Sequence, residues 1–99
     1  MEKPEIFEKK PYDDLYKLAE SIFVKLIPAS NAIEDRKRHA LVASFLADVM
    51  ADKGLVGFGF HHYTAGKQKE ILSKYTDLSE IFEKVPQEIT DHYIEKVAE

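Results

Sequence analysis

The chain contains no cysteine and no tryptophan. Without cysteine, disulfide bonds, thiolate zinc sites, iron–sulfur clusters and cysteine nucleophiles are excluded. No apolar run approaches the roughly 18 residues that a membrane-spanning helix needs, and residues 1–8 lack the pattern of a secretory signal peptide. We therefore expect a cytoplasmic protein that does not enter a membrane.

The balance of residue types is that of one globular domain. Of the 99 residues, 44% are hydrophobic and 32% are charged, which is enough apolar material for a core of its own. We predict a single domain over residues 1–99, in which residues 1–10 form a flexible or extended arm. The net charge is −4, and residues 76–99 carry seven acids against two lysines. This acidic end disfavours binding to nucleic acid or to an anionic membrane, because like charges repel.

The first helix is predicted over residues 12–27. Pro11 suits its first turn, and Pro28 ends the helix. Asp13 and Asp14 place negative charge near the positive end of the helix dipole, which stabilises the helix. The predicted buried face has apolar residues at three- and four-residue spacing, and these are Leu15, Ala19, Ile22, Phe23, Leu26 and Ile27.

A second helix is predicted over residues 31–53. Asn31 and Glu34 have the spacing of a capping box, and Gly54 followed by Leu55 has the pattern of a Schellman stop. Between residues 40 and 51 the segment is nearly all apolar, with only Ser44 and Asp48 as polar interruptions. A helix that is apolar on most of its faces belongs in the centre of a bundle.

Further helices are predicted in the second half of the chain. Thr64 can cap a third helix that runs to about Tyr75, and Asp77 with Glu80 forms a second capping-box pattern. Pro86 either begins a last helix or kinks a longer one. The fold class that we predict is all-α, a small bundle of four or five helices around the helix at about 31–53.

Residues 55–63 combine two glycines, which follow Gly54, with aromatic and histidine side chains. Val56, Phe58 and Phe60 alternate with glycine, a period typical of a strand. No other segment has a strand pattern that could pair with it. We therefore predict an extended loop that crosses one end of the bundle and is held there by its aromatic side chains.

This loop is also the predicted interaction site. Aromatic residues are enriched at the centres of protein interfaces, although in small domains they also close the core. We expect a non-enzymatic protein–protein interaction module, either a homodimer or a small adaptor or inhibitor of a larger assembly, with no cofactor. The predicted contact residues are Phe58, Phe60, His61, His62 and Tyr63.

A metal- or small-ligand-binding domain, with hydrolytic chemistry as an option, is the alternative. It would use His61 and His62 together with Asp48 and Asp52 of the second helix. Adjacent histidines in an extended segment usually point in opposite directions, so such a site would need a further ligand. No catalytic residue is predicted, because neither Ser44 nor Ser73 lies on a glycine-flanked elbow.

Three other patterns have ordinary structural explanations. The glycines of the loop do not fit a phosphate-binding fingerprint. The basic cluster at residues 36–39 is preceded by two acids, which favours a solvated helix end over a nucleic-acid site. An acidic mimic at residues 76–99 is the third hypothesis, although such a charge is ordinary for solvated helices.

Overall fold

The computed structural model describes residues 10–56 and 58–99. These form four α-helices, namely α1 (Pro11–Leu26), α2 (Asp35–Asp52), α3 (Ala65–Ile71) and α4 (Gln87–Ala98). Three 3₁₀ turns connect them, at Pro28–Ala32, Phe60–His62 and Leu78–Phe82. The predicted all-α fold class is confirmed, and no strand occurs within the described ranges. The predicted arm at 1–10 lies outside them except for Lys10.

Helix α1 follows the sequence pattern closely. Pro11 occupies the first helical position, where the missing amide costs nothing. Leu15, Ala19 and Phe23 form its buried face, and the helix ends two residues before Pro28. The predicted boundaries are therefore right to within one residue at each end. Leu26, which was predicted on the buried face, is instead 40% exposed at the last turn.

Helix α2 begins later than predicted. Asn31 lies in the 3₁₀ turn Pro28–Ala32, and the N-cap of α2 is Glu34, which makes no side-chain capping bond. The predicted capping box is wrong because Pro28 opens a turn of its own, and the extended backbone at Ile33 (φ −90°, ψ 164°) separates that turn from the helix.

The predicted stop of α2 is confirmed. Gly54 has a φ of +77°, which glycine adopts without the strain that a side chain would add. Its N–H donates to the Ala51 carbonyl at 3.0 Å, and the Leu55 N–H donates to the Met50 carbonyl at 2.9 Å. These two bonds define a Schellman motif.

The core is built around α2, as predicted. This helix packs against α1, α4 and the 3₁₀ turn Leu78–Phe82. The ring of Phe45 lies 5.3 Å from that of Phe23, 5.8 Å from Tyr93 and 6.4 Å from Phe82. One fully buried aromatic side chain therefore connects α2 to three other parts of the fold.

The 55–63 segment is not extended throughout. Gly59 adopts the left-handed conformation (φ +98°), and residues Phe60–His62 then form a 3₁₀ turn. Gly57 lies outside the described residues. The period-two pattern misleads here because the chain reverses at Gly59, so that residues on either side of it no longer share a strand face.

In the second half of the chain, α3 is shorter than predicted, and one predicted helix is a 3₁₀ turn. Thr64 caps α3, since its hydroxyl accepts from the Lys67 N–H at 3.2 Å, but α3 ends at Ile71 instead of Tyr75. Asp77 accepts from the Ser79 N–H at 3.0 Å and caps a 3₁₀ turn in place of an α-helix. Pro86 is the N-cap of α4 and so begins a separate last helix.

Among the described residues, no helix has the length and apolar character needed to span a lipid bilayer.

Candidate interaction surface

A row of five rings runs across the surface from the 3₁₀ turn Phe60–His62 to α1 and α2. The centroid distances are 4.0 Å between His62 and His61, 5.5 Å between His61 and Tyr12, 6.4 Å between Tyr12 and Tyr16, and 4.9 Å between Tyr16 and His39. We call these five residues the aromatic row. It contains three of the four histidines of the chain, so histidine chemistry is concentrated on one face.

Phe58 lies beside this row and projects into solvent. Its side chain is 73% exposed, the largest value among the exposed large hydrophobic residues described. Together with Tyr12 and His61 it borders a small recess of about 60 Å³, and the α2 residues that complete the lining are Ala43, Leu46, Ala47 and Met50. Full burial of a phenylalanine side chain contributes roughly 1.5–3 kcal/mol. The exposed ring of Phe58 does not gain this free energy within the chain.

The predicted contact residues divide into two groups. His61 and His62 are exposed, and Tyr63 is 37% exposed. Phe60 is instead buried, with 1% of its surface accessible, and its ring lies 6.4 Å from that of Tyr12. Phe60 therefore anchors the segment to the core, while Phe58 and the residues after Phe60 face outward.

Gln68 holds this segment in place and was not predicted. Its side chain is fully buried. The amide nitrogen donates to the carbonyls of Phe60 and Tyr63 at 3.0 and 3.2 Å, and the amide oxygen accepts from the Tyr12 N–H at 3.0 Å. A single glutamine thus satisfies one of the unpaired N–H groups at the start of α1 and fixes the following turn. The available signal was its position four residues before Leu72, on the face of α3 that points inward.

Tyr16 and His39 meet in an open groove between α1 and α2. The Tyr16 hydroxyl and His39 Nδ1 are 2.7 Å apart and share a hydrogen bond. Burial, reinforced by the negative charge of Glu20, raises the pKa of Tyr16 to about 12. The phenol is therefore neutral near pH 7. The groove has a volume of about 360 Å³, and its lining residues are Tyr12, Asp13, Tyr16, Lys17 and His39.

The basic cluster at the start of α2 is partly paired within the molecule. Arg38 bonds to the Asp35 carboxylate at 2.6 Å and lies 3.8 Å from Glu20. Its guanidinium also donates to the carbonyls of Ser30 and Ile33, each at 3.4 Å. Arg38 therefore holds the backbone of residues 30–33 against the first turn of α2.

The metal candidates are only partly brought together. The rings of His61 and His62 are adjacent because the 3₁₀ turn places them side by side, contrary to the geometry expected for an extended segment. The Asp48 carboxylate already accepts a hydrogen bond from the Tyr93 hydroxyl where α2 meets α4, and Asp52 is exposed. Within residues 10–56 and 58–99, no group of three or more histidine, aspartate or glutamate side chains is arranged to hold a metal ion.

The two polar residues of α2 meet one side chain of α4. The Tyr93 hydroxyl lies 2.7 Å from Ser44 Oγ and 2.5 Å from Asp48 Oδ2. Burial, together with donation of a hydrogen bond to the Asp48 carboxylate, raises the pKa of Tyr93. Since Tyr93 is 2% exposed, a substrate has little access to its hydroxyl, and the cluster serves as a link between helices.

Comparison of the chain with protein-family models, with curated protein sequences and with solved structures yields no match to any of them.

Proposed function

We propose that the protein is a non-enzymatic interaction module that binds another protein chain through Phe58 and the aromatic row. The observation that carries this proposal is the 73% exposure of Phe58 beside an apolar recess. Aromatic side chains that enter a partner's pocket contribute a large share of the binding free energy in many interfaces. The assembly is either a homodimer or a complex with a larger partner.

The rigidity of the surrounding surface supports the same proposal. Gln68 and the buried Phe60 hold the turn that carries His61 and His62, and Thr64 caps the helix that follows it. Tyr12 is in turn fixed by its backbone bond to Gln68. A surface that is already ordered loses less conformational entropy on binding, which favours affinity.

The alternative function, a metal- or small-ligand-binding domain, draws its support from the contact between His61 and His62. Two imidazoles can supply two nitrogen ligands, but a stable zinc site usually has at least three protein ligands. The interaction module therefore has the broader support.

A photo-crosslinking side chain introduced at position 58 tests the interaction function in living cells. We expect crosslinks from position 58 to a protein chain, which is a second copy or a different protein. The same probe at Ile94 is a matched control, because Ile94 is an apolar residue of α4 that is 45% exposed. A lack of any protein crosslink at position 58 would contradict the proposal.

Purified untagged protein provides the test of the alternative. Native mass spectrometry reports bound metal together with the number of chains. A monomer that carries one metal ion per chain, and that loses the ion on substitution His61→Ala or His62→Ala, would replace the interaction module with the metal-binding function.

A further inference from the structure

We propose that the partner is a second copy of this chain, packed with its α1 antiparallel to α1 of the first copy about a two-fold axis that crosses the outer face of α1 between Asp13 and Lys17, at the level of Leu15. This inference rests on the proposed interaction function and names the occupant of that surface. Its basis is the pattern of charge along the outer side of α1.

Four charged residues form one stripe along α1. Lys10, Asp13, Lys17 and Glu20 follow one another at intervals of three, four and three residues. For Asp13, Lys17 and Glu20, which lie within α1, these intervals mean one common face, since neighbours on a helix surface are three or four residues apart. Lys10 precedes them as the N-cap, and its Nζ donates to the His61 carbonyl at 3.3 Å. Asp13 and Lys17 are exposed, and the Glu20 side chain is 42% exposed. Among the described residues, neither Asp13 nor Lys17 takes part in an ion pair.

The signs of these charges are opposite on the two sides of Leu15. In an antiparallel pair of α1 helices centred there, Asp13 faces Lys17 of the partner subunit, and Lys10 faces Glu20 of the partner subunit. Two-fold symmetry repeats each contact, so the inner pair of Asp13 and Lys17 alone makes two opposite-charge contacts. A parallel pair would instead place each charge against its own copy. Lys10 and Glu20 also have partners within their own chain, the His61 carbonyl and Arg38. Complementary charges at a rim mainly fix orientation and register.

Apolar contacts would come from the surface beside the stripe. The groove that contains Asp13 and Lys17 is also lined by Tyr12, Tyr16 and His39. An interface with two-fold symmetry must offer both the projecting group and the recess on the same patch. Phe58 and the recess that it borders satisfy that requirement.

The charge of the rest of the molecule favours the same face. The stripe has two lysines and two acids and is neutral overall, whereas residues 76–99 carry seven acids and two lysines. Self-association through the acidic end would bring like charges together, and association through α1 would not.

Charge reversals at the inner pair test the arrangement. In a homodimer of Asp13→Lys, or of Lys17→Glu, two opposite-charge contacts become like-charge contacts. We expect each variant alone to have a dimer dissociation constant raised by about tenfold or more. An equimolar mixture of the two variants restores opposite charges at both contacts. We expect this mixture to form a heterodimer with a dissociation constant within about threefold of the wild-type value, identified by its mass in native mass spectrometry.

Lys25→Glu is the matched control, because it makes the same charge change as Lys17→Glu at an exposed position of α1 outside the stripe. We expect it to dimerise like the wild type. Circular dichroism of every variant verifies that a lost dimer does not reflect a lost fold.

Three results would overturn the proposal. They are a wild-type chain that stays monomeric up to about 100 μM, a range that includes weak interfaces, single reversals that dimerise normally, and a mixture that fails to recover. If position 58 then still crosslinks to a different protein, the interaction function stands and only the second copy is excluded. If position 58 crosslinks to nothing, both proposals fail.

Discussion

Tyr93 shows why an otherwise apolar central helix carries Ser44 and Asp48. A carboxylate only accepts hydrogen bonds, so the Tyr93 hydroxyl donates a hydrogen bond to Asp48 and accepts one from the Ser44 hydroxyl. One hydroxyl thereby satisfies two polar side chains that are one turn apart on α2. The bond pair fixes how α4 sits against α2, a specificity that apolar packing alone does not provide.

Removal of this hydroxyl should destabilise the fold. We expect Tyr93→Phe to lower the free energy of unfolding by about 1–3 kcal/mol, because Asp48 loses its donor at a partly buried position. Urea denaturation followed by circular dichroism measures the change. Tyr63→Phe is the control, since Tyr63 is 37% exposed, and it should change stability by less than about 0.5 kcal/mol. Equal effects of the two substitutions would contradict this account.

Tyr16 and Tyr93 make the free energy of unfolding depend on pH in the alkaline range. Burial raises the pKa of Tyr16 to about 12, and the pKa of Tyr93 is raised as well. A tyrosine in the unfolded chain loses its proton near pH 10, while the folded protein retains these protons to higher pH. The unfolded state then binds fewer protons, so the free energy of unfolding falls as pH rises above about 10.

Urea denaturation at several pH values between neutral and strongly alkaline tests this dependence. We expect full stability below about pH 10 and a progressive loss above it. Tyr93→Phe, which removes one of the groups, should give a shallower decline than the wild type. A wild-type stability that is constant through this alkaline range would show that the folded-state pKa values are not raised.

At the scale of the helices, the sequence predicted the ends whose signals are local. Gly54 ends α2 through bonds within five residues, and Thr64 caps α3 through a bond to Lys67. The ends that were missed depend on competing local bonds. The turn that begins at Pro28 includes Asn31, which is therefore not available to cap α2. At the end of α3, the Ser73 hydroxyl donates to the Glu70 carbonyl, which a further turn of the helix would otherwise use.

The candidate surface was predictable only in part, because contacts between residues distant in the sequence decide which side chains are exposed. Phe58 and Phe60 are identical residues two positions apart, and their residue type does not indicate which of them is buried. The decision is made by the left-handed backbone at Gly59 and by the bonds from Gln68. The contact between Tyr16 and His39 joins residues 23 positions apart, which sequence spacing does not reveal.

Two glycine substitutions separate a required glycine from an incidental one. We expect Gly54→Ala to lower the free energy of unfolding by about 1–2 kcal/mol, because its φ of +77° strains any residue with a side chain. Gly66 lies within α3 with no atom within 4 Å of an added Cβ. We expect Gly66→Ala to raise the free energy of unfolding by about 0.5–1 kcal/mol. Urea denaturation of both variants gives the two signs, and a stabilising Gly54→Ala would contradict the assigned Schellman geometry.

At the scale of the whole molecule, α2 is the helix against which most other elements pack. Helix α2 contacts α1, α4 and the 3₁₀ turn Leu78–Phe82, and the ring of Phe45 touches an aromatic ring in each of these elements. The recess beside Phe58 is lined by this same helix. The candidate surface therefore depends on the integrity of the core, and the two are expected to be lost together in one cooperative transition.

Two phenylalanine substitutions separate the core from the surface. Phe45 is fully buried and Phe58 is 73% exposed. Phe45→Ala should lower the free energy of unfolding by about 3–5 kcal/mol, a large share of the 5–15 kcal/mol that is typical of a whole domain. At concentrations where the chain is monomeric, Phe58→Ala should change it by no more than about 0.5 kcal/mol, and at higher concentrations it should weaken association between chains.

Because the chain has no tryptophan, urea denaturation is followed by circular dichroism and by tyrosine fluorescence. Coincident transitions for the two probes indicate that the helices and the aromatic core unfold as one unit. If Phe58→Ala costs the monomer as much stability as Phe45→Ala, then Phe58 is buried within the folded chain in solution. The proposed binding surface would in that case be part of the core, and the interaction function would lose the observation on which it rests.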